Sequence, residues 1–239
     1  MNGVQALSAI NNRPTAVVIA DQLRESIISG AFGPGDQINE AQVAGQLNVS
    51  RGPVREALHR LVQEGLLLSR PNRGVFVKEV TARDIAEVYE AREVIECAAA
   101  EIITRSEQSE RDRIADRLVA TTREMSAAID SGDWDRLRRL DLSFHTSLVE
   151  EGNNTRLARA YATLATESLI CMAQVVIAYP QPENVVPSHL DIAEKLRAAD
   201  MEAVHLALHD HLSIDDYQLH THGPDEALRH GRPEDDTAL

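Results

Sequence analysis

The sequence predicts a mainly α-helical chain in two parts: a small N-terminal module of three helices and a hairpin, then an all-α bundle of about six helices. Three observations predict it. Apolar residues recur at i, i+3, i+4 and i+7 through most segments between Thr15 and His220, the period of one helix face. One Trp, four Tyr and three Phe in 239 residues suit Leu, Ala and Val packing between helices better than an aromatic-rich sandwich. The charge is also divided: residues 1–80 sum to +1 and residues 81–239 to −15, so two modules with different surroundings share one chain.

Thr15–Ala31 carries Val18, Ile19, Leu23, Ile27 and Ile28 at helical spacing, and Gly30 with Gly33-Pro34-Gly35 ends that helix. Asn39 is placed to cap a short helix through Leu47 that buries Val43, Ala44 and Leu47. Asn48-Val49 makes a tight turn, Ser50 caps the next helix, and Pro53 falls in its first turn, where a missing N–H does no harm. Val54, Ala57, Leu58 and Leu61 then face inward, which sends Arg51 and Arg55 out together on the other side. Leu66–Ser69 and Val75–Val80 read as two short strands around Arg70-Pro71-Asn72-Arg73-Gly74, a hairpin with a basic tip. From Ser50 to Lys78 the net charge is +4.

This order is the layout of a winged helix-turn-helix, expected over residues 14–80. The start of a recognition helix enters the major groove, where Arg bonds bidentately to guanine, and a basic wing tip tracks the backbone or the minor groove. An acidic body is repelled by phosphate, so nucleic-acid contact is expected at the head alone. On periodicity alone, a solvated helix face and a protein-docking hairpin remain the alternative. The run from Leu47 to Leu58, with Ser50-Arg51-Gly52-Pro53-Val54-Arg55-Glu56-Ala57-Leu58 at its centre, continues through Leu61, Glu64-Gly65-Leu66 and Gly74-Val75-Phe76-Val77. It resembles the DNA-binding domain of GntR-family bacterial regulators. The resemblance implies that Arg51 and Arg55 contact operator bases, assisted by Ser50 and by the wing at Arg73 and Gly74. One departure stands out. Fatty-acid-responsive relatives carry a further DNA-contacting Arg ten residues before the first signature Arg, where this chain has Ala41.

The body reads as helices over Asp84–Arg105, Ser109–Asp130, Asp133–Glu150, a segment from Asn153 or Asn154 to just before Pro180, one with Pro187 near its start, and one from Met201 to His220. The first carries Ile85, Val88, Arg92, Ile95, Ala99 and Ile102; later ones bury Ile114, Leu118, Met125 and Ile129, then Leu137, Leu140, Phe144 and Leu148, then Ile192, Ala193 and Leu196. The effector-binding body is expected over residues 81–222, with residues 1–13 and 223–239 as disordered tails. The apolar stretch Leu169–Tyr179 is too short for a membrane span, and no signal peptide is indicated, so a cytoplasmic protein without membrane contact is expected. Cys97 and Cys171 lie far apart within helical patterns, which excludes a disulfide framework and a zinc ribbon; they and Trp134 are expected to pack.

Polar residues interrupt the apolar stripes of the body. Asp141 and His145 are one turn apart; His189 shares the stripe of Ile192 and Leu196; His211 shares that of Val204, Leu208 and Leu219, with His205 and His209 to its side. Buried Asp and His are costly unless paired or metal-bound, and these four, from three helices, could converge on one divalent cation: Zn²⁺, Ni²⁺ or Mn²⁺. Hydrogen-bonded core histidines are the alternative, and His205–His209 is an equally good i, i+4 pair. The order Asp141-x-x-Phe144-His145, Gly152-Asn153, His189, His211-Leu212 resembles the metal-binding version of the FCD effector domain found behind this head in the FadR-type branch of the family. The resemblance implies one divalent transition metal per chain, bound by Asp141, His145, His189 and His211, with open positions for a small carboxylate. Arg92 is the candidate for the carboxylate's other end, its alternative being a structural pair with Glu96.

The expected function is that of a homodimeric, DNA-binding transcriptional repressor on a palindromic operator, controlled by a small organic acid, and not an enzyme. A metal-dependent hydrolase using the same four ligands lacks an H-E-x-x-H motif and an obvious base. A sensor of the metal itself is the third reading.

Overall fold

The computed structural model describes residues 13–174 and 182–213. The chain divides into two compact units, the first ending at Lys78 and the second beginning at Glu79, with Ile28–Gly30 also grouped with the second. The first comprises α1 (Thr15–Ile28), β1 (Gln37–Ile38), α2 (Glu40–Gln46), α3 (Arg51–Gln63), β2 (Leu67–Arg70) and β3 (Gly74–Val77). Ile19, Leu23 and Ile27 of α1 are buried, as are Val54, Ala57, Leu58 and Leu61 of α3, whereas Val18 is 38% exposed and lies off the α1 stripe. Asn39 caps α2 as the sequence predicts, accepting from the N–H groups of Ala41 and Gln42. Ser50 takes the N-cap position of α3, but its hydroxyl makes no capping bond. The Arg24 guanidinium of α1 donates to Glu64 just past α3 at 2.6 Å, tying the two helices together.

The sheet has order β1-β3-β2, antiparallel throughout. Its edge strand β1 is too short to carry a period, and the sequence reading left it unassigned. Leu67 pairs with Val77, and Ile38 with Val75; Leu67, Val77 and Ile38 are buried. The hairpin turn closes from the Arg73 N–H to the Arg70 carbonyl, with Asn72 at φ +58° and Gly74 at +105°. The positive φ of Gly74 asks for glycine, and a Cβ there would stand 2.8 Å from Gln37 Nε2 and displace that side-chain amide.

The second unit holds α4 (Ala82–Thr104), α5 (Gln108–Ser131), α6 (Trp134–Glu151), α7 (Thr155–Gln174), α8 (Pro182–Ala198) and α9 (Met201–Leu212), with no strand among its described residues. Thr81 and Asp84 form a capping box at the start of α4, Asp133 caps α6, and the Asn154 side chain accepts from Arg156 and Leu157 at the start of α7. α5 packs on α6 and α8, and α4 on α6, α7 and α9, around a core that includes Ile103, Ile114, Leu118, Leu137, Phe144, Leu148, Tyr161, Ile192, Leu196 and Leu208.

The structure corrects several expectations. Ile102 is 37% exposed and Ile103 is buried, because five steps along the stripe from Ile85 take about 18 residues at 3.6 per turn. The same drift puts Glu96, rather than Ile95, in the buried row. Pro187 is not near a helix start but inside α8, as its sixth residue, where it forfeits one intrahelical bond. Trp134, at the start of α6, is 43% exposed. Cys97 and Cys171 pack as expected, the first half-buried against the core and the second buried beside Ile85 and Val88. The expected extension of the last helix through Leu219 and His220, the end of α7 near Pro180, and both tails beyond Arg13 lie outside the described residues.

Gly152 sits where α6 crosses α4: a Cβ there would meet Ala99 Cβ at 3.1 Å and Ala99 Cα at 3.2 Å. Overpacking a fixed helix contact costs about 1–3 kcal/mol, so Gly152→Val is expected to lower unfolding stability by that amount in a denaturant titration; an unchanged midpoint would contradict the close approach.

Candidate nucleic-acid interface and metal centre

In the first unit, Ser50, Arg51, Arg55, Arg73 and Gly74 are all exposed. Arg51 and Arg55 share the outer face of α3, opposite its buried row, and Arg73 with Gly74 forms the hairpin tip. Two contacts that the sequence reading did not find organise these residues. Gln37 of β1 donates its side-chain amide to the Arg73 carbonyl at 2.7 Å, pinning the backbone of the tip. Glu40, the first residue of α2, takes Arg55 Nε at 3.2 and 3.3 Å and Nη2 at 3.0 Å. Arg70 lies over the Phe76 ring, 4.8 Å from its centroid, and stiffens the wing further. No periodic signal marks such cross-element polar contacts, which is why the sequence hides them.

In the second unit, the four residues predicted as metal ligands do come together. Asp141 and His145 project from α6, His189 from α8 and His211 from α9, and one ligating atom of each lies within 4.8 Å of all the others. His145 and His189 are fully buried and Asp141 is nearly so. His205 and His209 are exposed, as their position off the stripe predicts; His209 Nδ1 lies 3.0 Å from Glu93.

The outward nitrogen of each imidazole is held by a separate partner. His145 Nδ1 lies 2.6 Å from Glu96, His189 Nδ1 2.7 Å from the Val185 carbonyl, and His211 Nδ1 3.1 Å from Ser188 Oγ. A carbonyl only accepts, so His189 Nδ1 carries a proton, and Nε2 is the nitrogen left to offer a lone pair to a metal. That Nε2 is buried without a hydrogen-bond partner among the described residues, 3.3 Å from Asp141 Oδ1. His145 Nδ1 donates to the Glu96 carboxylate in the same way, and its Nε2 faces His211 Nε2 at 3.0 Å. Nitrogens so placed need a proton or a cation between them. Phe144 backs the group with its ring edge toward His145 and His189.

Electrostatics follow from this packing. Burial alone would raise the Asp141 carboxyl, but the imidazoles of His189, His145 and His211 outweigh it and hold it well below the usual carboxylate range. Burial, reinforced by Arg92, lowers His145 against the pull of Glu96. Burial and the neighbouring His189 and His145 push His211 well below an ordinary histidine. His145 and His211 are thus biased toward the neutral form beside a carboxylate biased toward its charged form, and three imidazoles with one carboxylate are a donor set that suits a divalent transition metal. Donors about 2.1 Å from one ion lie roughly 3–4 Å apart, which the 3.0 and 3.3 Å separations already meet.

Behind the imidazoles, Glu96 is shared. Its Oε1 accepts from Arg92 Nε at 3.1 Å and from the Tyr161 hydroxyl at 2.7 Å, while Oε2 takes His145. Burial opposes its charge, yet His145 and Arg92 push its pKa down to about 2. The pairing of Arg92 with Glu96 is thus present, but it uses only Nε. Both terminal nitrogens, Nη1 and Nη2, are buried with no hydrogen-bond partner among the described residues. Arg92 also lies against the Tyr89 ring.

Comparison with known proteins agrees with both halves. Residues 15–77 match the family model described as bacterial regulatory proteins, gntR family, and residues 87–213 match the FCD domain. The HTH-type transcriptional repressor RspR of Escherichia coli (strain K12) is 31% identical over 80% of this chain and 82% of its own. The chain belongs to the GntR family. The gluconate operon transcriptional repressor of Bacillus licheniformis is 28% identical over 87% of this chain and 86% of its own length. A crystal structure of a GntR regulator from Rhodococcus sp. RHA1 covers 82% of this chain and 93% of that one, with 28% identity and a TM-score of 0.66. This GntR-family chain is a DNA-binding transcriptional regulator with a helical effector domain. No helix among its described residues is long and apolar enough to cross a membrane.

Removing one partner of a buried charge network leaves the others desolvated, at a cost of about 3–5 kcal/mol. Glu96→Ala is expected to lose that much stability to denaturant, because it strands Arg92 and the Tyr161 hydroxyl together. A loss under about 1 kcal/mol would mean that Glu96 carries little of the network.

Proposed function

We propose that this regulator is a homodimeric repressor whose affinity for a twofold operator is set by a small organic acid bound at one divalent transition metal. Residues 14–80 form the DNA-binding domain and residues 81–222 the effector domain. Arg51 and Arg55 read operator bases, with Ser50, Arg73 and Gly74 on the backbone around them. Asp141, His145, His189 and His211 hold Zn²⁺, Ni²⁺ or Mn²⁺. When bound, the ion supplies a Lewis-acidic centre on which a carboxylate oxygen can displace water.

The observation that carries this reading is the orientation of the three imidazoles. Each outward nitrogen is pinned, and the inward ones gather beside an ionised carboxylate, with His189 Nε2 unpartnered among the described residues. Such outer contacts fix tautomer and ring angle in metal sites. Nη1 and Nη2 of Arg92, unsatisfied among the described residues, suit a second carboxylate or an α-hydroxy group on the same ligand, and they favour an organic acid over metal sensing alone. A relative named for the gluconate operon supports an acid of this class. The hydrolase alternative has no such support: Asp141 belongs to the donor set, and Glu96 is already taken by three donors.

An effector that prefers the DNA-incompetent arrangement ~100-fold supplies ~2.7 kcal/mol of coupling. The test is operator binding by the metal-loaded chain, on a duplex selected from a random pool, titrated with gluconate and a panel of hydroxy and dicarboxylic acids. One acid is expected to weaken binding ~100-fold in the parent chain and to leave His189→Ala unaffected. No response to any acid with Zn²⁺, Ni²⁺ or Mn²⁺ loaded, or an equal response in His189→Ala, would contradict the proposal.

A further inference from the structure

The α2–α3 contact at Glu40 is not required to hold the head together. An ion pair between exposed groups adds little stability, and Arg55 is 65% exposed at its side chain. The head is closed by the apolar rows of α1 and α3 and by the Arg24–Glu64 pair. An acidic residue in the first turn of α2 complements the helix dipole, but that accounts for its charge and not for its reach across to α3. Asn39 already takes two of the free N–H groups there, those of Ala41 and Gln42.

The geometry says what the contact does. A guanidinium offers two bidentate edges, Nε with Nη2 along its side and Nη1 with Nη2 at its tip. Glu40 takes the side edge, and the Arg55 side chain, 65% exposed, keeps its tip edge for another partner. The tip edge carries two parallel donors, which suit O6 and N7 of guanine. A long side chain clasped in this way has fewer conformations to lose on binding, so its hydrogen bonds discriminate more sharply. Glu40 is charged near neutral pH, since the hydrogen bond from Arg55, helped by the charges of Arg55 and Arg51, holds its carboxyl below its usual range. The carboxylate also disfavours any docking that would bring a phosphate to the same place.

We infer that Glu40 is a positioning and specificity-determining residue for operator recognition: it fixes the Arg55 fork on one base and penalises binding to unrelated duplex. This rests on the base-reading role of Arg55 proposed above, and the test separates the two. The full chain and its Arg55→Ala, Glu40→Gln, Glu40→Asp and Glu40→Gln/Arg55→Ala variants are used to select duplexes from a randomised pool, and base preferences are compared position by position. Arg55→Ala is expected to erase preference at one position of each half-site. Glu40→Gln is expected to weaken preference at that same position about 3–10-fold, to spare the others, and to raise affinity for a scrambled duplex of equal length. Glu40→Asp keeps the charge but is one methylene short of the contact, so it should weaken the same position. The double variant should select like Arg55→Ala alone, the signature of one residue acting through the other.

If Glu40→Gln leaves that position intact, or if Glu40→Asp selects like the parent, the positioning role is overturned while Arg55 keeps its own. An even loss at all positions with a lowered melting midpoint would also overturn it, by showing general damage to the head. If Arg55→Ala alters no position, the base-reading role falls and takes the inference with it.

Discussion

A carboxylate taken out of water must be matched by donors on all sides, and in the helical unit Glu96 is where that requirement is met. It is completely buried, and three side chains from three helices converge on it: Arg92 from its own helix, His145 from α6 and Tyr161 from α7. This one group therefore does two things. It stitches α4, α6 and α7 together, and it fixes the tautomer of the imidazole whose other nitrogen faces His211. The Val185 carbonyl and the Ser188 hydroxyl, both on α8, do the equivalent for His189 and His211. The cluster is preorganised because its outer partners belong to the frame of the bundle. Histidines held only by each other would turn outward or protonate.

The head follows the same logic on a smaller scale. Its core is an apolar row on α1 and another on α3, but the residues that face outward are set by polar contacts from the stretch between α1 and α2. Gln37 holds the wing backbone at Arg73, and Glu40 holds Arg55. Both come from a short strand and a helix start that contribute one buried apolar residue, Ile38, between them. The stretch organises the exposed face and buries little of its own.

Period and punctuation made the fold legible. The apolar rows of α1, α3 and α6, the caps at Asn39, Asp133 and Asn154, and the hairpin with Asn72 and Gly74 all have local causes that a sequence displays. The four clustered residues were legible for a related reason, because each interrupts an apolar row and interruptions are visible. Other features were not. Counting Ile95 and Ile102 into the α4 row shortened the repeat by about one residue over five steps, which hid Glu96 and Ile103. Gln37, Glu40, Tyr161 and Ser188 act across elements distant in sequence, and no spacing rule reports such contacts. Arg92 was read as either a ligand-binding group or a structural partner of Glu96. Its Nε serves the second role and its two terminal nitrogens have no partner among the described residues, so the two roles are not exclusive.

The account turns on whether the gathered imidazole nitrogens and Asp141 hold an ion. The direct measurement is elemental analysis of the untagged protein, purified without chelator, beside the His211→Ala variant. About one transition-metal ion per chain in the parent, and a clear loss in the variant, is the predicted result. No metal in either protein, even after equilibration with Zn²⁺, Ni²⁺ or Mn²⁺, would contradict it and reduce the cluster to hydrogen-bonded core histidines.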